Sequence, residues 1–132
     1  MKILFDTNVL FAATVSNGLC AEAYFKAVRS CEIFTSEPLL EELTSKLAEK
    51  ARFTRIESAE VADEIRDIAQ IVEPTELPRR VCRDADDDVV LATAIAASAD
   101  CIVTGDQDLL VLKSYENIEI ITPRQFVERL ES

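Results

Sequence analysis

Histidine is absent from the chain, and glycine occurs only twice, at Gly18 and Gly105. Without histidine, neither Ser-His-Asp nor Cys-His catalysis can be assembled, and every His-ligated metal site is excluded. Two glycines cannot write a phosphate-cradling P-loop or a dinucleotide fingerprint. ATP and hydride chemistry of those kinds therefore falls away. The four cysteines, Cys20, Cys31, Cys82 and Cys101, contain no C-x-x-C pair, which argues against a zinc cluster. They read as reduced, small and mostly buried side chains. Met1 leads straight into "KILFDTN" with no signal-peptide pattern. No apolar run approaches the roughly 20 residues a membrane span needs. The expectation is a cytoplasmic protein with no membrane attachment, the setting in which thiols stay reduced. Basic charge is also scarce. Lys and Arg number 14 against 25 Asp and Glu, so the net charge is -11 at pH 7. That is not the footprint of a protein that grips nucleic acid by charge alone. It suits a basic partner, or a site that collects cations.

What the chain does have is enough apolar material for a core: 48% of its 132 residues are hydrophobic, sufficient for one domain over 1–132 without covalent staples. "KILF" (residues 2–5) is a short apolar run halted by Asp6, as expected of a buried strand. "NGLCAEAYFKAVRS" spaces Leu19, Ala23, Phe25, Ala27 and Val28 in a helical pattern opened by Asn17 or Gly18. "CEIFTS" is strand-like, and "SEPLLEELTSKLAEK" is a helix capped by Ser36 with Leu39, Leu40, Leu43 and Leu47 on one face. Residues 58–72 form a further amphipathic helix with Val61, Ile65, Ile68 and Val72 in register, followed by the loop "EPTELPRRVC". "VVLATAIAASA" reads as a buried helix, "DCIVT" as a strand stopped by "GDQD", "LLVLKSY" as a short helix and "IEIIT" as a last strand. "PRQFVERLE" closes the chain as a helix with Thr122 at its cap and Pro123 at its first position. Strands alternating with helices argue an α/β layer fold with a mostly parallel sheet.

The acids are distributed unevenly over this pattern. "DADDDVVLATA" (residues 84–94) puts four aspartates into five positions before turning apolar. Asp6 ends the first strand, and Asp106 and Asp108 follow the strand "DCIVT". Glu41 and Glu42 lie in the first turns of their helix. Ligand sites in parallel α/β sheets lie beyond the carboxyl ends of the strands, so acids from four segments are expected at one edge. Gathered carboxylates must protonate or be neutralised by a cation. Oxygen-only donors select hard ions such as Mg or Mn, and one or two such ions suit phosphodiester hydrolysis by metal-activated water. Each acid taken singly could be a helix cap or a complement to a helix dipole. Arg52, Arg55, Arg79, Arg80 and Arg83 could form a local basic rim, or simply a solvated surface.

The segments "MKILFDTNVLFAA", "SEPLLEELTSKL" and "CRDADDDVVLATAIAASADCIVTGDQDLL", in that order, resemble a PIN domain. They are most similar to the small single-domain PIN proteins classed as toxins of toxin–antitoxin pairs, the relatives of VapC. The resemblance implies a three-layer α/β/α sandwich and a Mg- or Mn-dependent endoribonuclease. It implies catalytic acids at Asp6, Glu42 (with Glu41 as fallback), Asp87 and Asp106. Asp87 is preferred over Asp84 and Asp88 because Ala92 and Ala94 then match the small helix residues that follow the family's aspartate. Asp84 and Asp108 are possible further metal ligands, and Asn8 and Thr104 match supporting positions. RNA as substrate, an antitoxin as partner and a homodimer complete the expectation. The alternatives are an inactive PIN-like binding or scaffold module, and a response-regulator-like protein using Asp6 as phosphoryl acceptor with Lys113.

Overall fold

The computed structural model describes residues 1–132. Four apolar runs become the central strands: β1 (Lys2–Phe5), β2 (Glu32–Thr35), β4 (Cys101–Val103) and β6 (Ile118–Ile121). With β3 (Gln70–Ile71) and β5 (Ser114–Tyr115) they form one sheet in the order β3-β2-β1-β4-β6-β5. Every pairing is parallel except β5 with β6. Parallel neighbours need helical crossovers. These are α1 (Thr7–Val15) and α2 (Leu19–Ser30), then α3 (Glu37–Lys50) and α4 (Arg55–Ile68), then α5 (Ala85–Ala97). The short α6 (Gln107–Leu110) follows β4, and α7 (Pro123–Glu131) follows β6.

Side-chain alternation along the strands divides the core. Ile3, Phe5, Ile33, Cys101, Val103 and Ile121 face a cluster shared with Val9 and Leu10 of α1, Ala23 and Ala27 of α2, Leu40, Leu43 and Leu47 of α3, Ile65 of α4 and Phe126 of α7. Leu4, Phe34, Ile102, Ile118 and Ile120 face the other way, onto Val90, Leu91, Ala94 and Ala97 of α5 and Leu109 of α6. Helices on both faces of one sheet make the three-layer α/β/α sandwich that the PIN resemblance implies, built on the mostly parallel sheet that the alternation of strands and helices predicts. No helix is long and apolar enough to cross a membrane.

The structure corrects several local expectations. The helix expected over 58–72 begins earlier, at Arg55, under a capping box of Thr54 and Glu57, and stops at Ile68. Gln70–Ile71 then pairs with β2 as an edge strand, so Val72 leaves the helical register and Ile68 is left exposed. The helical reading of "LLVLKSY" also fails. Only Leu109 and Leu110 are helical, and Ser114–Tyr115 turns back on β6. Glu116 and Asn117 both have positive φ (49° and 67°), the left-handed pair of a two-residue hairpin turn that matches strand twist. α1 is an additional helix, apolar on nearly every side and so without a period to read. Phe25 and Val28, two of the apolar residues in the helical pattern of α2, are exposed. All four cysteines are free, but only Cys82 and Cys101 are buried; Cys20 and Cys31 are half-buried. Ser36 sits at the cap position of α3, yet its hydroxyl hydrogen-bonds Thr93 of α5 at 2.9 Å instead of a backbone amide.

Candidate metal centre

Strand order fixes where the site lies. After β1 the chain builds leftward through β2 and β3, then returns to place β4 on the other side of β1. Ligand crevices open at such a switch point, outside the carboxyl ends of the strands. Asp6 leaves the end of β1 there, its amide donating to the Val103 carbonyl at 3.0 Å. Thr104 and Asp106 leave the end of β4 beside it.

Asp6 is buried. Its Oδ2 accepts a hydrogen bond from the Thr104 hydroxyl at 2.7 Å, and the same Thr104 oxygen accepts from the Asp106 amide at 3.0 Å. Thr104 thus ties the two acids to one another. Burial raises the Asp6 pKa above the ordinary carboxylate range, opposed by the Thr104 bond and reinforced by the charges of Glu42 and Asp106. Asp106 caps α6, accepting from the Asp108 amide at 2.9 Å.

Asp87 enters from the first turn of α5. It is buried, and its Oδ2 has no hydrogen-bond partner. Its pKa is pushed up to about 7, first by burial, then by the charge of Asp106 and a hydrogen bond between the two carboxyls, with Asp6 and Asp84 adding to the effect. Carboxylate oxygens of Asp87, Asp106 and Asp108 lie within 4.8 Å of one another. An orphaned, buried carboxylate oxygen amid further carboxylates is what a cation relieves. All the donors are oxygen, so these residues fit a hard divalent ion.

The other expected residues divide. Glu42 of α3 is within electrostatic reach of Asp6 but is paired with Lys46 at 3.0 Å. Glu41 is exposed and has no side-chain partner in common with these acids. Asn8 is exposed, and its Oδ1 accepts from the same Lys46 at 2.8 Å, so it supports Glu42 through a lysine. Asp84 is spent as the N-cap of α5, accepting from the Asp86 amide at 2.9 Å, and it lies outside the 4.8 Å group. Asp88 points to the preceding connection, where it accepts from the Val81 and Cys82 amides at 3.1 and 2.8 Å. Burial, followed by the Asp88 carboxylate, pushes the Cys82 thiol up to about 12, so it stays a neutral thiol. One cation of this edge was not anticipated, Lys46; Arg83, already a candidate for a basic rim, reaches Asp108 at 2.8 Å. Lys46 was legible, being four residues beyond Glu42 on one helix; the Arg83–Asp108 contact spans 25 residues and left no local signal.

The molecule is an α/β/α sandwich with carboxylates gathered at its switch point. The family model described as "PIN domain" matches residues 2–108. The chain belongs to the PIN domain family, whose members are generally nucleases. No curated protein sequence matches it. Among solved structures, a chain of VapBC2 from Rickettsia felis, bound to a DNA fragment from its promoter, superposes with a TM-score of 0.66 at 14% identity, covering 92% of this chain and 98% of the other. PAE2754 from Pyrobaculum aerophilum superposes with a TM-score of 0.61 at 17% identity, covering 99% and 90%. At these identities the likeness is one of fold.

Proposed function

We propose that the protein is a Mg- or Mn-dependent endoribonuclease, acting as one domain over residues 1–132 in the cytoplasm. The observation that carries this reading is the set of Asp87, Asp106 and Asp108 oxygens within 4.8 Å, beside a buried Asp6 locked to Thr104. Asp87 and Asp106 would hold one or two ions with Asp6, while Glu42 and Asp108 complete the oxygen set from the flanks. When bound, the ion polarises a phosphoryl oxygen and lowers the pKa of water toward neutrality. The chain's own part is positional. Thr104 fixes the Asp6 carboxylate in one orientation and anchors the Asp106 backbone, and α5 delivers Asp87 with one oxygen free. No histidine is available as a base, which suits chemistry that needs none. The intact acid set speaks against an inactive scaffold.

The likeness to a VapBC2 chain supports a role as the toxin of a toxin–antitoxin pair, neutralised by an antitoxin protein. A homodimer, the commonest symmetric oligomer, is the proposed working state. The test is cleavage of a structured RNA with product ends mapped. Cleavage is expected with Mg or Mn and not with EDTA, leaving a 5′-phosphate and a 3′-hydroxyl. Asp6→Asn should lower the rate by orders of magnitude with folding intact. Cleavage that survives EDTA, or equal rates in wild type and Asp6→Asn, overturns the reading. So does a cyclic 2′,3′-phosphate, which requires attack by the RNA's own 2′-hydroxyl.

A further inference from the structure

The geometry points to Arg83 as the side chain that takes the backbone phosphate of the substrate RNA at the rim of the acid cluster, held ready by Asp108 and aimed by a connection that Asp88 fastens. This rests on the ribonuclease reading above. The problem it answers is electrostatic. A chain of net charge -11, with its acids gathered at the site, must admit a polyanion, and phosphate contacts supply most of the affinity for nucleic acid.

Arg83 ends the non-helical connection between β3 and α5. Its backbone is fixed on several sides. The Asp88 carboxylate accepts from two consecutive amides, Val81 and Cys82. The Arg80 guanidinium folds back to donate to the Cys82 carbonyl at 3.1 Å and to the Arg83 carbonyl. The Arg83 head group is solvent-exposed by contrast. Its side chain is 87% exposed, and its one ionic partner is Asp108 at 2.8 Å. Exposed ion pairs contribute little to stability, so this one can exchange its carboxylate for a phosphate at small cost. The guanidinium fork binds a phosphate with the same two-pronged geometry it offers a carboxylate. Asp108 also belongs to the three-acid group, so the guanidinium stands one side chain from the acids, where a phosphodiester at the site must pass. Arg79, exposed on the same connection, adds a further positive charge, while the Arg80 guanidinium is spent on the Cys82 and Arg83 carbonyls. Arg52 and Arg55 do not join this rim: they lie beyond the far end of the 14-residue α3, about 20 Å from the edge where that helix starts.

The test is binding of a fluorescein-labelled single-stranded RNA, read by anisotropy across a potassium chloride series, in proteins that all carry Asp6→Asn so that the RNA survives. Arg83→Gln is expected to weaken binding and to reduce the slope of log affinity against log salt by about 0.7, the counterion release of one phosphate contact on a single strand. Arg29→Gln, at the end of α2 on the opposite edge of the sheet, should leave the slope alone. Asp108→Asn frees the guanidinium and should tighten binding, and that gain should disappear when Arg83→Gln is added. An unchanged slope in Arg83→Gln, or an equal gain from Asp108→Asn with and without Arg83, overturns the role of Arg83 while leaving the nuclease reading intact. Absence of RNA binding in every variant, with folding verified by circular dichroism, overturns both.

Discussion

Asp87 is buried, with one carboxylate oxygen lacking any hydrogen-bond donor, and it shares its surroundings with Asp106, Asp6 and Asp84. Its pKa of about 7 makes a signed statement about stability. The folded protein binds this proton more tightly than the unfolded chain, whose aspartates titrate near 4. Metal-free stability should therefore be intact below about pH 4 as far as this group is concerned, and be lost as pH rises toward 7, at up to about 1.4 kcal/mol per pH unit. Asp6, also raised, acts in the same direction. Urea denaturation in EDTA between pH 5 and about 7 is the check. Wild type should weaken with rising pH, and Asp87→Asn should flatten the trend and be as stable or more so at neutral pH. Stability that climbs through this window in wild type would mean that the acids are not crowded. At this scale much of the site is legible in the sequence. Asp6, Asp87, Asp106 and Asp108 stand next to apolar runs that mark strand ends or a helix start. Charge and hydropathy alone do not disclose which member of "DADDD" turns inward; only the family resemblance favours Asp87. A helix turn separates Asp87 from Asp84 by three residues, and the choice falls to cap geometry: Asp84 caps, Asp88 reaches back to the connection, and Asp87 faces the strands.

Among the elements, the connection from Pro74 to Arg83 matters most to the site and is the least regular. Its order rests on Asp88, whose carboxylate satisfies two amides that would otherwise compete for water. Asp88→Ala is expected to speed hydrogen exchange at the Val81 and Cys82 amides several-fold or more. It should cost about 1–3 kcal/mol through the unsatisfied donors while leaving divalent-ion affinity nearly unchanged. A loss of ion binding equal to that of Asp87→Asn would make Asp88 a ligand and overturn its role as an anchor. Element existence was legible where the period or cap was strong: the leucines of α3 and the Thr122 cap with Pro123 of α7 are both where the sequence puts them. The failures have physical causes. β3 and β5 are two residues long and exist only through pairing with β2 and β6. α1 has apolar residues around most of its circumference, so its periodicity is nil although its helix is complete.

Taken whole, the molecule is a sheet with helical layers on both faces and a strand order that reverses between β1 and β4. The layer architecture was legible from alternation of strands and helices; the strand order was not, because register and crossover direction are tertiary choices. The order is what puts Asp6 beside Thr104 and Asp106, 98 and 100 positions away in sequence. The surface leaves Val15, Phe25, Ile56, Ile68 and Val111 exposed. Sedimentation equilibrium should give twice the 14.7 kDa chain mass if the proposed homodimer forms, and the single chain mass at all concentrations would refute it. The most direct test of a divalent-ion site is thermal denaturation of metal-free protein at pH 8, with and without Mn. An ion that binds only the folded state stabilises it by about 2.7 kcal/mol at a hundredfold excess over its dissociation constant. Wild type and the surface control Glu60→Gln should both gain that stability on adding Mn, and Asp87→Asn and Asp106→Asn should gain little. A melting curve of wild type that Mn leaves unmoved, or one that shifts equally in Asp87→Asn, would contradict a metal centre at these acids.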